Sequence, residues 1–363
     1  MRTTKAIVRL GAITQNLDAA TRCAPGSKIL AVIKANAYGH GAVEVARLLQ
    51  SSNPARVPAF AVAFFDEAVQ LRDAGISRPI LILQGTTAAA DVAEAAAKDF
   101  WLMLHDRQQV DRVLQSATAL PVRVWIKADT GMHRLGLDVT ELDNVFAALS
   151  AAANVQQDMI LCTHLACAED QENPLTRQQV NQIRPYAAKY KLPLSIANSA
   201  AIMCWPESHA DWNRPGYMLY GNHPLGLSGN DSEGLFPAMT MTSRILAIRE
   251  VSPGEGIGYG HRWVAKKQSK IGTIPIGYAD GYPRHAASGT PVLVNGQRVP
   301  LAGRVSMDMI SVDLSGHENV KIGDPVELWG EQLSVDEVAA CAGTIGYEIL
   351  AGLTGHVPIT YLP

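Results

Sequence analysis

Short apolar runs alternate with amphipathic stretches over the first 220 residues of the chain. Most of these runs are hydrophobic at every position, which is typical of parallel strands buried on both faces. Seven runs are clear: Ile29–Ile33, Phe60–Phe64, Ile80–Leu83, Trp101–Leu104, Val122–Ile126, Met159–Thr163 and Leu194–Ala197. An eighth lies within Ala210–Tyr220, where the pattern leaves both Asp211–Arg214 and Gly216–Tyr220 open.

Helical stretches separate these runs. Ala42, Val45, Ala46 and Leu49 recur at the spacing of one helix face, and Ala89–Ala97 is rich in the strongest helix former. Repeated strand–helix units indicate βαβ crossovers, and eight of them close a (β/α)8 barrel of the TIM type. An open, doubly wound sheet is the second possibility.

The pattern changes beyond the Gly- and Pro-rich linker Gly221–Pro237. Strands and turns follow, including a hairpin signal at Asn295-Gly296 and a helix that Ser334 begins, with Glu337 predicted to complete a capping box. We therefore predict a barrel over residues 11–232 and a mostly β C-terminal domain over residues 233–363. The strand in residues 1–10 is predicted to join the second domain.

Composition narrows the functional class. The chain has 363 residues, 47% of them hydrophobic and 18% charged, with a net charge of -3. This balance favours neither nucleic acid nor a membrane surface as partner. We find no signal-peptide core and no apolar run of membrane-spanning length. Five scattered cysteines without zinc-ligand spacing indicate free thiols in a reducing cytoplasm.

Polar and ionisable residues gather where the predicted barrel strands end, which is where such barrels place their active sites. Each has an ordinary explanation, such as a strand end in solvent, a core histidine or a helix N-cap. A lysine in an apolar pocket can instead act as a nucleophilic amine that forms a Schiff base. Because these polar and ionisable residues lie together at one end of the barrel, they indicate a functional site, but they do not identify the reaction. The residues are Lys34, Lys127, His164, Asn198, Ser199, Arg214 and Gly216.

Nine short motifs, the first of which contains Lys34, together span nearly the whole chain. They are Val32-Ile-Lys-Ala-Asn-Ala-Tyr-Gly-His-Gly41, Lys127-Ala-Asp-Thr-Gly-Met-His-Arg134, Thr163-His-Leu-Ala166, Asn198-Ser199, Asn213-Arg-Pro-Gly216, Gly258-Tyr-Gly260, Gly277-Tyr-Ala-Asp-Gly281, Gly303-Arg-Val-Ser-Met-Asp308 and Tyr347-Glu348. In this order they resemble the motifs of the alanine racemase family, a family of pyridoxal-phosphate enzymes of fold type III. The resemblance implies a barrel followed by a β domain.

The resemblance also assigns cofactor-binding residues. Lys34 holds pyridoxal 5'-phosphate covalently, His164 lies against its ring, Arg134 donates to its phenolic oxygen, and Arg214 faces its ring nitrogen. Lys127 is implied to be carbamylated and to hold Arg134. A small-residue turn that opens onto a helix N-terminus suits a phosphate, which favours Asp211–Arg214 as the eighth strand. The implied phosphate site comprises Tyr38, Ser199, Tyr347 and the backbone near Gly216 and Tyr217, and Asn198 is implied to bind the cofactor.

Racemisation requires proton transfer at both faces of a flat intermediate. The resemblance assigns one face to Lys34 and the other to Tyr259, which reaches the site from the partner subunit of a homodimer. A network of Tyr259 with His164 and Arg214 is a further hypothesis. Substrate is implied to contact Arg134, Tyr259 and the backbone of Met307. The implied access route is lined by Tyr278, Arg284, Arg304, Asp308 and Glu169, the last standing where the family often has Asp.

The resemblance therefore implies interconversion of L- and D-alanine, which supplies D-alanine for peptidoglycan or consumes it. Three other functions remain open. A non-catalytic carrier of the cofactor predicts neither a second domain nor Tyr259. A decarboxylase predicts an acidic partner for the ring nitrogen, against which Arg214 argues. A racemase of broad specificity predicts a wider pocket than Tyr278 and Tyr347 imply.

Overall fold

The structure is a computed structural model that describes residues 3–51, 54–228 and 234–363. The chain divides into two compact units. The barrel unit comprises Leu17–Ala37 and Ala42–Leu219. The β unit comprises Met1–Asn16, Tyr38–Gly41 and Tyr220–Pro363. The boundary predicted between residues 232 and 233 lies outside the described residues.

Eight parallel strands form a closed barrel, which confirms the predicted fold class. Each strand pairs with the next along the chain, and Trp212–Asn213 pairs with Lys28–Val32 to close the ring. The eighth strand is therefore Trp212–Asn213, whereas Tyr217–Tyr220 is a 3-10 helix. A short strand, Leu137–Asp138, adds to the edge of the fifth. The barrel strands are Lys28–Val32, Ala59–Val62, Ile80–Ile82, Phe100–Leu104, Val124–Asp129, Ile160–Cys162, Leu194–Ser195 and Trp212–Asn213.

Helices follow most of these strands and bury their apolar faces. In Ala42–Gln50, for example, the buried positions are the four that the sequence spacing predicts. Leu10–Cys23 precedes the first barrel strand. The remaining helices are Phe65–Asp73, Ala89–Ala97, Arg107–Gln115, Leu142–Ala151, Leu175–Tyr190 and Ser199–Cys204, with 3-10 turns at Val139–Glu141, Pro206–Ser208 and Gly226–Ser228.

Three tryptophans fill one layer of the barrel interior. Trp101 and Trp212 lie on strands that are not neighbours, yet their ring centroids are 5.9 Å apart. Such a contact has to cross the interior of the barrel. Trp125 completes the cluster, with centroids 6.4 Å from Trp101 and 5.6 Å from Trp212. We call these three residues the indole layer.

The β unit contains two main sheets and a short ribbon. The N-terminal strand Lys5–Arg9 pairs antiparallel with Met239–Arg244 and parallel with Ile359–Leu362. Gln297–Pro300, Pro291–Val294 and Pro325–Trp329 complete that six-stranded sheet. The other strands are Ala247–Val251, Ser269–Ile274 and Ile310–Asp313 in one sheet, and Gly256–Ile257 with Trp263–Val264 in the ribbon. The helices are Val335–Ala342 and Gly346–Ala351, with 3-10 turns at Tyr259–His261 and Tyr278–Asp280.

Two local predictions in the β unit have different outcomes. The hairpin at Asn295-Gly296 is confirmed, because both residues have positive φ and join two paired strands. The capping box at Ser334 is wrong. The Ser334 hydroxyl accepts from the Asp336 N–H, and the Glu337 carboxylate forms an ion pair with Arg298 instead. Across the described parts of the chain, helices are too short or too polar to cross a membrane.

Candidate active site

The backbone changes hand immediately after Lys34. Strand Lys28–Val32 leads into the lysine, and the next four residues all have φ between 52° and 54°. They are Ala35, Asn36, Ala37 and Tyr38. A left-handed conformation costs non-glycine residues roughly 1–2 kcal/mol each, and such strain clusters at functional sites. The turn therefore marks Lys34 as a residue whose placement the fold enforces.

Lys34 is half-buried, and its amine lies among charged groups. Burial lowers the pKa of Lys34, and the neighbouring charge of Arg134 lowers it further. The carboxylate of Glu67 acts in the opposite direction. A lysine with a lowered pKa has more of its amine in the neutral form that attacks a carbonyl carbon.

A layer of cations lies next to the indole layer in the barrel. Lys127 follows Trp125 by two residues and Arg214 follows Trp212 by two. Because strand side chains alternate, Lys127 points to the same side of its strand as Trp125. The side chains of Lys127 and Arg214 are both buried, with 8% and 6% of their residue surface exposed. The C-terminal end of the interior is therefore strongly positive.

Four acceptors fix the guanidinium of Arg214. Nη1 donates to Ser195 Oγ at 2.6 Å, and Nη2 donates to the carbonyl oxygens of Thr163 at 2.7 Å and Ile196 at 3.0 Å. Nη2 also lies 3.4 Å from His164 Nδ1. Ser195 is itself anchored, because its hydroxyl donates to the Trp212 carbonyl. Ser195 was not predicted from the sequence, since a serine inside a buried strand has no motif of its own.

His164 is a neutral ring among cations. Burial lowers its pKa well below the ordinary value, and the charges of Arg214, Lys127, Arg134 and Lys34 lower it further. The imidazole therefore carries no charge at neutral pH. So much positive charge around a neutral ring favours an anionic ligand.

The loop that carries His164 is held by Gln179, a fully buried residue of helix Leu175–Tyr190. Its amide nitrogen donates to the His164 carbonyl at 3.0 Å and to Thr130 Oγ1 at 3.1 Å. Its amide oxygen accepts from the Ala166 N–H at 2.9 Å. One side chain thus ties the ends of two barrel strands together, which the sequence pattern did not reveal.

Lys127 lies on strand Val124–Asp129 opposite Cys162 of the neighbouring strand. Burial lowers the pKa of Lys127, as do Arg214 and Arg134, while Cys162 and Asp129 act in the opposite direction. The net decrease favours the neutral amine, which is the form that reacts with electrophiles.

Asp129 shapes the exposed loop that leads to Arg134. Its Oδ1 accepts from the N–H groups of Gly131, Met132 and His133 at 2.9, 3.1 and 3.1 Å. Partial burial alone raises the pKa of Asp129, but these bonds and His133 lower it below the ordinary value. The ionised carboxylate therefore positions the loop, a role that the sequence analysis did not assign.

Ser199 and the segment from Gly216 form a small polar cradle. The Ser199 hydroxyl accepts from the N–H groups of Gly216 at 3.0 Å and Met218 at 3.3 Å, and it retains its own hydrogen for donation. The buried Tyr217 begins a 3-10 helix beside it. Asn198 caps helix Ser199–Cys204, since its Oδ1 accepts from the Ala201 N–H at 3.0 Å. Its side-chain oxygen is thus engaged in the N-cap that was its ordinary explanation.

In the β unit, Tyr38 packs among other tyrosines. Its ring centroid lies 5.0 Å from that of Tyr220 and 6.1 Å from that of Tyr347. Burial raises the pKa of Tyr38 to about 12, so its hydroxyl stays protonated and can donate. A Cβ at Gly39 would come within 2.1 Å of the Leu350 carbonyl oxygen, which explains the glycine after Tyr38.

Two other predicted residues of the β unit are open to solvent. Tyr259 is 69% exposed and Met307 is 53% exposed. The Met307 carbonyl accepts from the Ala279 N–H at 3.0 Å. A Cβ at Gly277 would lie 2.2 Å from that carbonyl oxygen. The motifs that begin at Gly277 and Gly303 therefore pack directly against each other.

The predicted access-route residues divide between the units. In the β unit, Arg284 lies over the ring of Tyr278 at 5.8 Å. Arg304 is near Gly260, where an added Cβ would lie 3.9 Å from the Arg304 Nη1. Asp308, which is close to Arg304 in sequence, is exposed. Glu169 is an exposed residue of the barrel unit. Within the β unit, the structure therefore brings Tyr278 and Arg284 together.

Comparison with known proteins gives matches over both units. The family model described as "Alanine racemase, N-terminal domain" matches residues 8–224, and that described as "Alanine racemase, C-terminal domain" matches residues 238–361. The chain belongs to the alanine racemase family. A biosynthetic alanine racemase from Pseudomonas aeruginosa is 45% identical over 99% of each chain. One from Alteromonas mediterranea is 44% identical over 98% of each.

Solved structures of alanine racemases have the same fold. That of the biosynthetic alanine racemase from Pseudomonas aeruginosa superposes with a TM-score of 0.95 at 45% identity and covers 100% of both chains. That of alanine racemase from Acinetobacter baumannii gives a TM-score of 0.92 at 34% identity, also over 100% of both chains.

The barrel unit of this alanine racemase family member fits pyridoxal phosphate, the cofactor of the family. Cationic side chains suit its phenolic oxygen and phosphate, and a cradle of hydroxyl and backbone N–H groups suits the phosphate. Arg214 is a buried donor with no acceptor atom, and it is already held by protein acceptors. The group would be held covalently by Lys34, the amine with a lowered pKa.

Proposed function

We propose that the chain interconverts L- and D-alanine with pyridoxal phosphate held at the C-terminal end of its barrel. One observation carries the proposal: Lys34, whose pKa is lowered, shares its surroundings with Arg134 and the buried Arg214 around a neutral His164. A nucleophilic amine at a site that favours anions suits covalent capture of a phosphorylated aldehyde.

When bound, the cofactor delocalises the electron pair left on the substrate Cα after that carbon loses its proton. Lys34 would hold the group, with His164 against its ring and Arg134 as a donor to its phenolic oxygen. The phosphate site comprises the Ser199 hydroxyl, the backbone at Gly216 and Tyr217, and the hydroxyls of Tyr38 and Tyr347, while Asn198 belongs to the wider cofactor site. For Tyr38 and Tyr347 in the β unit, and for Asn198, the assignment rests on family resemblance.

Arg214 restrains the reaction to proton transfer. Its guanidinium stays protonated and has no acceptor, so it can only donate toward a ring nitrogen. Its hydrogen bonds to Ser195, Thr163 and Ile196 hold it in place. A donor at this position keeps the ring nitrogen unprotonated and weakens electron withdrawal, which suits an enzyme that removes and returns a single proton.

Two groups are needed because protons must move at both faces of the substrate carbon. Lys34 Nζ serves one face and Tyr259 Oη serves the other, with Tyr259 supplied by the partner subunit of a homodimer. The exposure of Tyr259 supports this assignment, because an exposed side chain remains accessible to a second chain. The hydrogen-bond network that joins Tyr259 to His164 and Arg214 belongs to the same proposal.

Substrate carboxylate is bound by Arg134, the backbone of Met307 and Tyr259. Lys127 is carbamylated, which converts a buried cation into an anion that can hold Arg134. The lowered pKa of the Lys127 amine supports this, since the neutral amine is the form that attacks carbon dioxide. Substrate reaches the site along the route lined by Tyr278, Arg284, Arg304, Asp308 and Glu169.

We place the enzyme in the cytoplasm. Its five free cysteines suit a reducing compartment.

Racemisation of a panel of amino acids by the purified chain tests the proposal. We expect rapid interconversion of the alanine enantiomers, monitored by circular dichroism, and slower turnover of larger side chains. Comparable rates with larger amino acids would favour the racemase of broad specificity. Cofactor absorbance without racemisation of any amino acid would favour the non-catalytic carrier.

A further inference from the structure

Glu67 connects the loops after two neighbouring barrel strands. It lies in the first turn of helix Phe65–Asp73. Its Oε1 accepts from the Ala35 N–H at 2.6 Å. Its Oε2 accepts from the N–H groups of Ala63 at 2.7 Å and Phe64 at 3.1 Å. Two of these donors follow strand Ala59–Val62, and the third follows Lys34.

The bond to Ala35 supports the most strained segment of the barrel unit. Ala35 is the first residue of the left-handed turn, and such turns persist only where their surroundings over-determine them. Two further bonds act on the turn: Ala37 N–H donates to the Ile33 carbonyl, and Asn36 Oδ1 accepts from the Ala42 N–H. Of these three supports, only Glu67 is charged, and hydrogen bonds to ionised acceptors are the strongest.

The same carboxylate also acts on the Lys34 amine. The groups that face this amine are Arg134, Glu67 and the neutral His164. Glu67 raises the pKa of Lys34 against the combined effect of burial and Arg134. Its two effects, on the backbone after Lys34 and on the charge of Lys34, come from one carboxylate in the first turn of helix Phe65–Asp73.

We propose that Glu67 is a positioning residue for Lys34, whose carboxylate locks the left-handed turn and fixes the amine relative to strand Ala59–Val62. The proposal rests on the proposed function only in that Lys34 is the residue that holds the cofactor. The simpler role is a helix cap, since Glu67 also accepts from the backbone of the N-cap residue Phe64. A cap stabilises the helix and has no influence on the turn.

Glu67→Gln separates the two roles. Glutamine keeps the shape but offers only one acceptor oxygen, so it cannot serve both loops. Hydrogen–deuterium exchange of the full chain reports the turn directly. We expect amides in the peptide that covers residues 34–38 to exchange about tenfold faster, because a hydrogen bond to a charged acceptor shifts local opening by about that factor.

The pH titration of the visible cofactor band is the second readout. The Lys34 nitrogen that carries the cofactor is positively charged when protonated, and the nearby Glu67 carboxylate favours that charge. Removing the Glu67 charge should therefore move the midpoint to lower pH, and kcat should decrease more than KM changes. Glu67→Asp keeps the charge, so the midpoint of its cofactor band should match that of wild type. Its side chain is one methylene shorter and cannot reach the turn, so amides over residues 34–38 should still exchange faster than in wild type. If Glu67→Gln does not fold, Glu67→Asp tests the support of the turn through the same exchange measurement.

Asp66→Asn is the matched control, because Asp66 is an exposed carboxylate in the same helical turn. It should leave both readouts unchanged. Unaltered exchange over residues 34–38 in Glu67→Gln, with only a lower melting temperature, would reduce Glu67 to a cap and overturn the proposal. A wild-type chain without a visible band would instead contradict the proposed function, while the exchange result would still stand.

Discussion

The two units differ in how they hold the residues assigned to the reaction. In the barrel unit, Lys127 and Arg214 are buried and Arg214 has four acceptors around it. In the β unit, Tyr259 and Met307 are mostly exposed. The fold of a single chain therefore fixes Lys127 and Arg214 in place. Tyr259 and Met307 lie on an exposed surface, which a second chain can reach.

The largest expected effect comes from removing the amine of the barrel half. Lys34→Ala should abolish the visible cofactor band and reduce racemisation to background, although the β unit is untouched. Absorbance spectroscopy and an alanine racemisation assay measure both. Lys98→Ala, which removes a surface lysine paired with Glu94, should behave as wild type. A band that survives in Lys34→Ala would place the covalent attachment elsewhere.

The next effect comes from the exposed half. Tyr259→Phe should retain the cofactor band and lose proton transfer mainly at one face, by about a hundredfold or more. The equilibrium between the two enantiomers fixes the ratio of the forward and reverse rates, so any variant slows racemisation equally in both directions. Equal slowing therefore does not test the role of Tyr259. Solvent deuterium uptake from each enantiomer is the useful measurement. Unchanged uptake from both enantiomers would remove Tyr259 from the mechanism.

A mixture of the two inactive variants tests whether sites are shared between chains. If Tyr259 acts on a partner's Lys34, a hybrid of Lys34→Ala and Tyr259→Phe chains contains one intact site. Random re-pairing should then restore roughly a quarter of wild-type activity. Each variant re-paired with itself is the control. No recovery, despite hybrids detected by native mass spectrometry, would assign both groups to the same chain.

The smallest expected effect is the loss of barrel stability in acid. Folding lowers the pKa of His164, so the unfolded chain binds more protons below the ordinary pKa of about 6.5. Stability present at neutral pH is therefore lost as the pH falls through that value, by up to about 1.4 kcal/mol per pH unit. His164→Gln should melt with a weaker dependence on pH than wild type. The exposed His356→Gln should not differ from wild type.

Much of the barrel could be predicted because its strands are continuously hydrophobic and therefore stand out. The hydrophobic pattern alone could not place the eighth strand, since Trp212–Asn213 spans only two residues. The phosphate-binding turn that the family resemblance implies favours Asp211–Arg214, and the observed strand lies within that range. The cations of the site were recognisable because charged residues at the ends of buried strands are unusual. Ser195 and Gln179 were not, because neutral side chains show their role only through partners on other elements.

Neither the left-handed turn nor the hydrogen bond from its Ala35 N–H to Glu67 could be predicted from the sequence. Four consecutive residues with positive φ normally call for glycine, yet the turn holds two alanines, an asparagine and a tyrosine. Glu67 resembles any acidic residue in the first turn of a helix, where the helix dipole favours negative charge. Its bond to Ala35 joins residues 32 positions apart, a relation that only the folded barrel supplies.

The handedness of that turn has a consequence for the chirality of the chain itself. Ala35 and Ala37 adopt backbone angles that are the mirror image of a right-handed helix, the region that D-amino acids prefer. A semisynthetic chain with D-alanine at these two positions should fold with less backbone strain than the natural one. The segment next to the reactive lysine therefore has a backbone conformation that distinguishes D- from L-residues, in an enzyme whose substrates are the D- and L-forms of one amino acid.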